Sequence, residues 1–303
     1  MNSMTMAESL LVMEKEALKF NYALLHDSNI IKMLVPFAKE KISNSGKSEI
    51  MEMVNREADK YKYTPAGKIR RELLKELANL YNIPERKYVT KRDVSDQCDR
   101  IIEAMYNQMK QTNKKFNSFL GNENQANKLE KIVKFQMYSL IDSISDKKIS
   151  EQQMREIGDS LEDFLKGLPE AQQKHIAQKL GINNITSSTL QKLITANGTA
   201  VVFATIVQVA GFAFYTTLTS VVAGIFGLVG ITLPFAVYVT LTSAVAVIAN
   251  PLFFIPVLLL GGGGLLKWQN GKMKKAIAPV VLMQIMLASD QNQNAEWKEL
   301  LYE

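Results

Sequence analysis

The chain predicts an all-α protein: a helical cytoplasmic domain, then a hydrophobic transmembrane-type helical hairpin, then a short C-terminal helix. Three observations support this. Apolar residues recur at spacings of three and four through the first two-thirds of the chain, the signature of helices with one buried face. Strict apolar–polar alternation, which a half-buried strand would show, is absent. Leu193 to Leu266 contains no Asp, Glu, Lys, Arg or His, a run of 74 residues without formal charge. About 20 apolar residues already suffice to span a bilayer, so this run has room for two spans and a turn.

Charge is dense elsewhere. Of 36 basic and 30 acidic residues, five and four follow Leu266, which leaves 31 and 26 in residues 1–192. The net charge of +6 is a mild excess that favours anionic lipid headgroups. The reading includes no nucleic-acid partner, because no clustered basic face interleaved with aromatics is evident. One cysteine, Cys98, cannot form an internal disulfide, which suits a reducing compartment. The opening MNSMTMAESLLVMEKEALKF lacks a basic n-region, so no signal peptide is expected. The expected division is 1–192 as a soluble helical domain with a soft boundary near 111–125, 193–266 as the hairpin, and 267–303 as C-terminal helix and tail.

In chain order, Leu10, Leu11, Ala17, Leu18, Tyr22 and Leu25 mark one face of a first helix. Ile30 to Phe37 begins a second, and a Glu-rich helix starts from Ser48. Pro65-Ala66-Gly67 is a break. Ile69, Leu73, Leu74 and Leu77 then form one buried stripe. Pro84 ends that unit, and Thr90-x-x-Asp93 reads as a capping box. Gln111 to Gln125 is polar and Asn-rich and reads as a loop. Helices resume through Leu129, Ile132, Val133 and Leu140. Ser150 suits the cap of the next helix, with Met154, Ile157, Leu161, Phe164, Leu165 and Leu168 on one face. Pro169 and Gly181 bracket one more.

Within the uncharged run, Ala200 to Ala223 is long enough to cross a ~30 Å hydrocarbon core at ~1.5 Å per residue. Gly224, Gly227, Gly230 and Pro234 suggest a turn. A second span from Phe235 to Leu260 is interrupted at Asn250-Pro251. Gly261, Gly262, Gly263 and Gly264 form a hinge. Lysines flank both ends of the run and are absent from the turn, so both termini are expected on the cytoplasmic side of a bacterial inner membrane. The alternative localisation is a soluble cytoplasmic form that inserts on a trigger. Ala276 to Ala288 is too short to span and is expected to pack on the helical domain or lie in the interface.

Small residues at a spacing of four, Thr216, Ser220 and Gly224, and Thr242, Ala246 and Asn250, are candidates for close helix–helix packing within the membrane. Thr205, Gln208, Thr216 and Thr219 form a polar stripe. It reads either as a pore wall or, with greater weight, as interhelical hydrogen bonding, since none of its members is ionisable. Gly46-Lys47-Ser48 ends like a phosphate-binding loop, but Lys41 stands where that motif needs glycine. His26 and His175 show no metal-ligand spacing with Cys, Asp or Glu. The residues therefore point to no catalytic, cofactor-binding or metal site, and to no enzyme.

Three segments resemble the YaaW-like family of bacterial proteins, some of which are labelled as a ubiquinol–cytochrome c chaperone family. They are Lys68 to Leu77 followed by Asn82-Ile83, Leu168 to Ile182, and the apolar region with Ala210 to Tyr215, Pro251 and Ala276 to Ile285. The resemblance covers about residues 66–288 and departs at Asn250-Pro251-Leu252-Phe253. It implies the same architecture and supplies no mechanism. The function expected is a membrane-anchored or membrane-inserting protein, an oligomerising pore-type effector in toxin or phage defence. Its partners are then the lipid bilayer and further copies of the chain. The alternative is a membrane-tethered adaptor or chaperone that binds a protein partner through its helical domain.

Overall fold

The computed structural model describes residues 3–26, 55–121, 127–145, 149–210, 214, 270–287, 297, 300 and 301. Among these the fold is all-α, with no strand. The expected helix at Ile30 to Phe37, the start of the one expected from Ser48, the Gly46-Lys47-Ser48 motif, and most of the uncharged run lie outside the described residues; residues 55–59, which continue the Ser48 segment, are helical. The chain divides into two compact units, residues 1–136 with 249–303, and residues 137–248.

The first unit begins with α1 (Ser3–Val12) and α2 (Lys15–His26). The sequence pattern suggests one continuous helix here; the structure contains two. The reason is distant in sequence. The buried guanidinium of Arg70 donates from Nε to the Leu10 carbonyl (3.0 Å) and from a terminal nitrogen to the Met13 carbonyl (3.1 Å). Those are the orphan acceptors of a helix C-terminus, and a cation is favoured there by the helix dipole. Arg70 lies on α3 (Ala66–Leu80), whose Ile69, Leu73, Leu74 and Leu77 are all buried, as their spacing predicts.

Helix α3 stops in a Schellman turn. Ile83 N–H donates to the Ala78 carbonyl and Asn82 N–H to the Asn79 carbonyl, with Asn82 in the left-handed region at φ 56°. An extended connector leads to α4 (Lys91–Thr112), where Thr90 and Asp93 form the predicted capping box. Helix α5 (Lys114–Leu120) occupies sequence expected to be loop. Asn113 caps it by accepting from Phe116 N–H (3.0 Å), and the fully buried Phe116 stacks edge-on against Phe135 at 5.0 Å. One buried aromatic anchors an otherwise polar segment, an effect that outweighs composition. Helix α6 (Lys128–Ser145) follows.

The last helix, α11 (Asn270–Leu287), packs against α1, α2, α3 and α4. Met273, Ile277, Ala278 and every residue from Val280 to Met286 are buried. From residue 277 to 286 the helix is buried on every side, the mark of a core segment. Of the two places open to this segment, the helical domain holds it.

Candidate functional site

The second unit presents the head of the uncharged run. Helix α7 (Glu151–Gly167) opens with a capping box: Ser150 Oγ accepts from Gln153 N–H (3.2 Å), and Gln153 Oε1 accepts from Ser150 N–H (2.9 Å). Its inner face buries Ile157, Leu161 and Leu165. Helix α8 (Glu170–Leu180) ends at Gly181, in the left-handed conformation at φ 69° that its position predicts. Helix α9 (Ser187–Asn197) packs closely on α7 because Gly158 has no side chain. A Cβ there would stand 2.6 Å from Ser187 Oγ and 2.8 Å from Gln191 Cγ.

An acid fastens the two helices. The Glu162 carboxylate, already paired with Lys166, accepts from Ser187 N–H at the N-terminus of α9. Those two bonds, Lys166 first, hold its pKa below the ordinary glutamate range. The uncharged run thus opens inside α9, where Ile194 is buried against the helical unit.

Gly198 ends α9 at φ 85°, a backbone that other residues avoid. The chain turns 119° into α10 (Thr199–Ala210, TAVVFATIVQVA). Helix α10 packs on α8 and α9 through the buried Val202, Phe203 and Ile206. Phe214, fully buried, extends the contact: its ring lies 5.6 Å from Phe203 and 5.1 Å from Phe164 of α7. The opposite face is open, with Val201 at 57 % exposure beside exposed Ala204 and Gln208. Among the described residues no single helix is long and apolar enough to cross a membrane. Helices α9 and α10 together meet length and composition but are bent between them.

Two members of the predicted polar stripe can be placed. Thr205 Oγ1 donates to the Val201 carbonyl of its own helix (2.9 Å), and Gln208 Oε1 accepts from Lys179 Nζ of α8 (3.2 Å). Both polar groups are engaged within the helical unit. Thr216, Thr219, Ser220, Gly224, Thr242, Ala246, Asn250 and the hinge Gly261 to Gly264 lie outside the described residues.

A cavity of about 550 Å³ opens between α7 and α9, lined by Met154, Arg155, Gln191, Ile194 and Thr199 among others. A second, about 420 Å³, shares Met154 and Gln191 and adds Lys192. The sequence offered no sign of this groove, whose lining residues are unremarkable singly.

The candidates for chemistry lie apart. Cys98 is free and fully buried, and desolvation pushes its thiol pKa up. His26 pairs with Glu76 (2.6 Å) and stacks on Tyr22, while His175 is exposed on α8. No three His, Cys, Asp or Glu among the described residues are grouped to hold a metal ion. No protein-family model matches the chain, and no curated protein or solved structure matches it.

Proposed function

We propose that the protein is a membrane-inserting helical protein whose own helical unit sheathes the first apolar helix before insertion. The observation behind this is α10. It is a charge-free helix at the head of a 74-residue uncharged run, seated by Val202, Phe203 and Ile206 on polar helices, with Phe214 beyond it packed on Phe203. Water drives such a helix onto any apolar face; a bilayer removes that drive and offers the same burial. On insertion the run forms a hairpin, self-associates through its small-residue faces and perturbs the bilayer, as an effector in toxin or phage defence would. Kinship with YaaW-like proteins belongs to the same proposal.

Dye-filled liposomes test it. The full chain should become carbonate-resistant and release dye. Ser220→Leu with Gly224→Leu keeps the run apolar, so that variant should insert without releasing dye. Insertion without leakage in the wild type would instead favour a tethered adaptor or chaperone. The groove between α7 and α9 supports that second reading, because it offers a mixed polar and apolar surface to a peptide.

A further inference from the structure

The connector between α3 and α4 places an unusual set of side chains on one strip of the first unit. Between Arg86 and Asp93 the sequence reads Arg-Lys-Tyr-Val-Thr-Lys-Arg-Asp. Tyr88 turns inward and is 3 % exposed, while Val89 stands out at 63 %. Arg86, Lys87, Lys91 and Arg92 are all exposed.

Of the neighbouring acids, Asp93 faces Arg86 and offsets part of its charge, and Glu85 is paired outside the stretch. Asp93 accepts from Thr90 N–H (2.7 Å), Thr90 Oγ1 (2.8 Å) and Val89 N–H (3.1 Å). Glu85 pairs with Lys75 at 3.1 Å. Asp96, one turn along α4, forms no ion pair with Arg92 among the described residues, and Lys87 has no ion pair there either. Lys91 lies over the ring of Trp297, 5.1 Å from its centre. The stretch therefore carries Lys87, Lys91 and Arg92 exposed, Arg86 beside Asp93, an exposed valine, and Trp297 against Lys91.

We propose that this strip is a membrane-surface docking site that takes anionic phospholipid headgroups. The cations match the headgroup charge, and valine and tryptophan are suited to the interface just beneath it. A phosphate backbone would also attract the cations, but among the described residues Trp297 is the one aromatic beside them that is not buried, whereas a nucleic-acid groove stacks several aromatics on successive bases. The proposal rests on the membrane reading above and gives it an orientation: the first unit lies against the charged leaflet while the run inserts.

The test uses the full chain and vesicles of phosphatidylcholine, with or without phosphatidylglycerol. Wild type should prefer the anionic vesicles, and salt should erase the preference. Each cation near such a surface contributes roughly a fivefold gain, so Lys87→Gln with Arg92→Gln should lose about 20- to 30-fold of it. Its carbonate-resistant fraction at saturating lipid should be unchanged. A double variant that keeps the full anionic preference overturns the proposal. So does wild type that prefers duplex DNA to the anionic vesicles and loses that preference in the variant. Wild type that binds anionic vesicles through this strip but never resists carbonate defeats the insertion reading and leaves the docking site standing.

Discussion

Replacing Phe203 by alanine sets two effects of opposite sign against each other. Phe203 is fully exposed to neither water nor lipid in the docked state: its relative exposure is 0 % and its ring meets Phe214 at 5.6 Å. Truncating such a buried phenylalanine costs about 3–5 kcal/mol, the lost transfer energy plus the cavity left behind. In a bilayer the same side chain contributes only about 0.3–0.6 kcal/mol to insertion. The docked state therefore loses the larger amount, and the balance moves toward insertion by roughly 2.5–4.5 kcal/mol, some 10²- to 10³-fold. The less apolar protein should insert better. The assay is the carbonate-resistant fraction of full-length protein titrated with vesicles, together with hydrogen exchange of residues 199–210 without lipid. Exchange in α10 should accelerate in parallel. Val201→Ala is the control, since Val201 is 57 % exposed and its loss removes apolar surface without touching the docked face. Lower insertion for Phe203→Ala than for wild type, with α10 exchange unchanged, would refute the docked-helix argument.

Arg70→Met removes both donors to the Leu10 and Met13 carbonyls and leaves them buried. At about 1.5–3 kcal/mol for each bond to a charged group, a loss of roughly 3–6 kcal/mol should appear as a lower urea midpoint; a shift under about 1 kcal/mol would mean the break after α1 has another cause. Residues 1–192 expressed alone lack α11 and should expose the faces of α1 to α4 that it covers, binding a hydrophobic dye; joining 270–303 through a flexible linker should restore a cooperative transition, and a fragment that is already cooperative would contradict the core role of α11. Glu162 has a lowered folded pKa, so its contribution is complete above the ordinary glutamate value and is lost as pH falls through the folded one. The stability gap between wild type and Glu162→Gln should accordingly be present at neutral pH and close as the pH falls below the ordinary glutamate value of about 4.3 and through the lower folded pKa in thermal unfolding; a gap independent of pH would show that the carboxylate charge is not what fastens α7 to α9.

Local signals in the sequence were faithful to local structure. The Thr90–Asp93 box, the Ser150 cap, the stop at Gly181 and the stripe through Ile69 to Leu77 each depend on residues within a turn or two, and each is where the pattern puts it. What escaped depends on partners far away. The break after α1 is held by Arg70, some 60 residues on. Residues 114–120 look like loop until Phe116 is seen against Phe135. The apolar composition of 276–286 suits an interface or a core equally, and only its four neighbouring helices decide between them. The candidate site was half legible: absence of charge marked α10, but nothing local announced that Phe164, before the run, would meet Phe214 within it.

The position of α11 has a consequence for synthesis on the ribosome. Its partners α1 to α4 are complete by Thr112, yet the first unit cannot close until Leu287 has been made. About 170 residues of chain lie between, including the whole uncharged run, and at ~5–20 residues per second that is roughly 10–35 seconds of translation. For that interval the nascent chain displays an unfinished apolar core and, later, a growing hydrophobic segment. The order of synthesis thus places emergence of the run ahead of the closure of the first unit by its last helix.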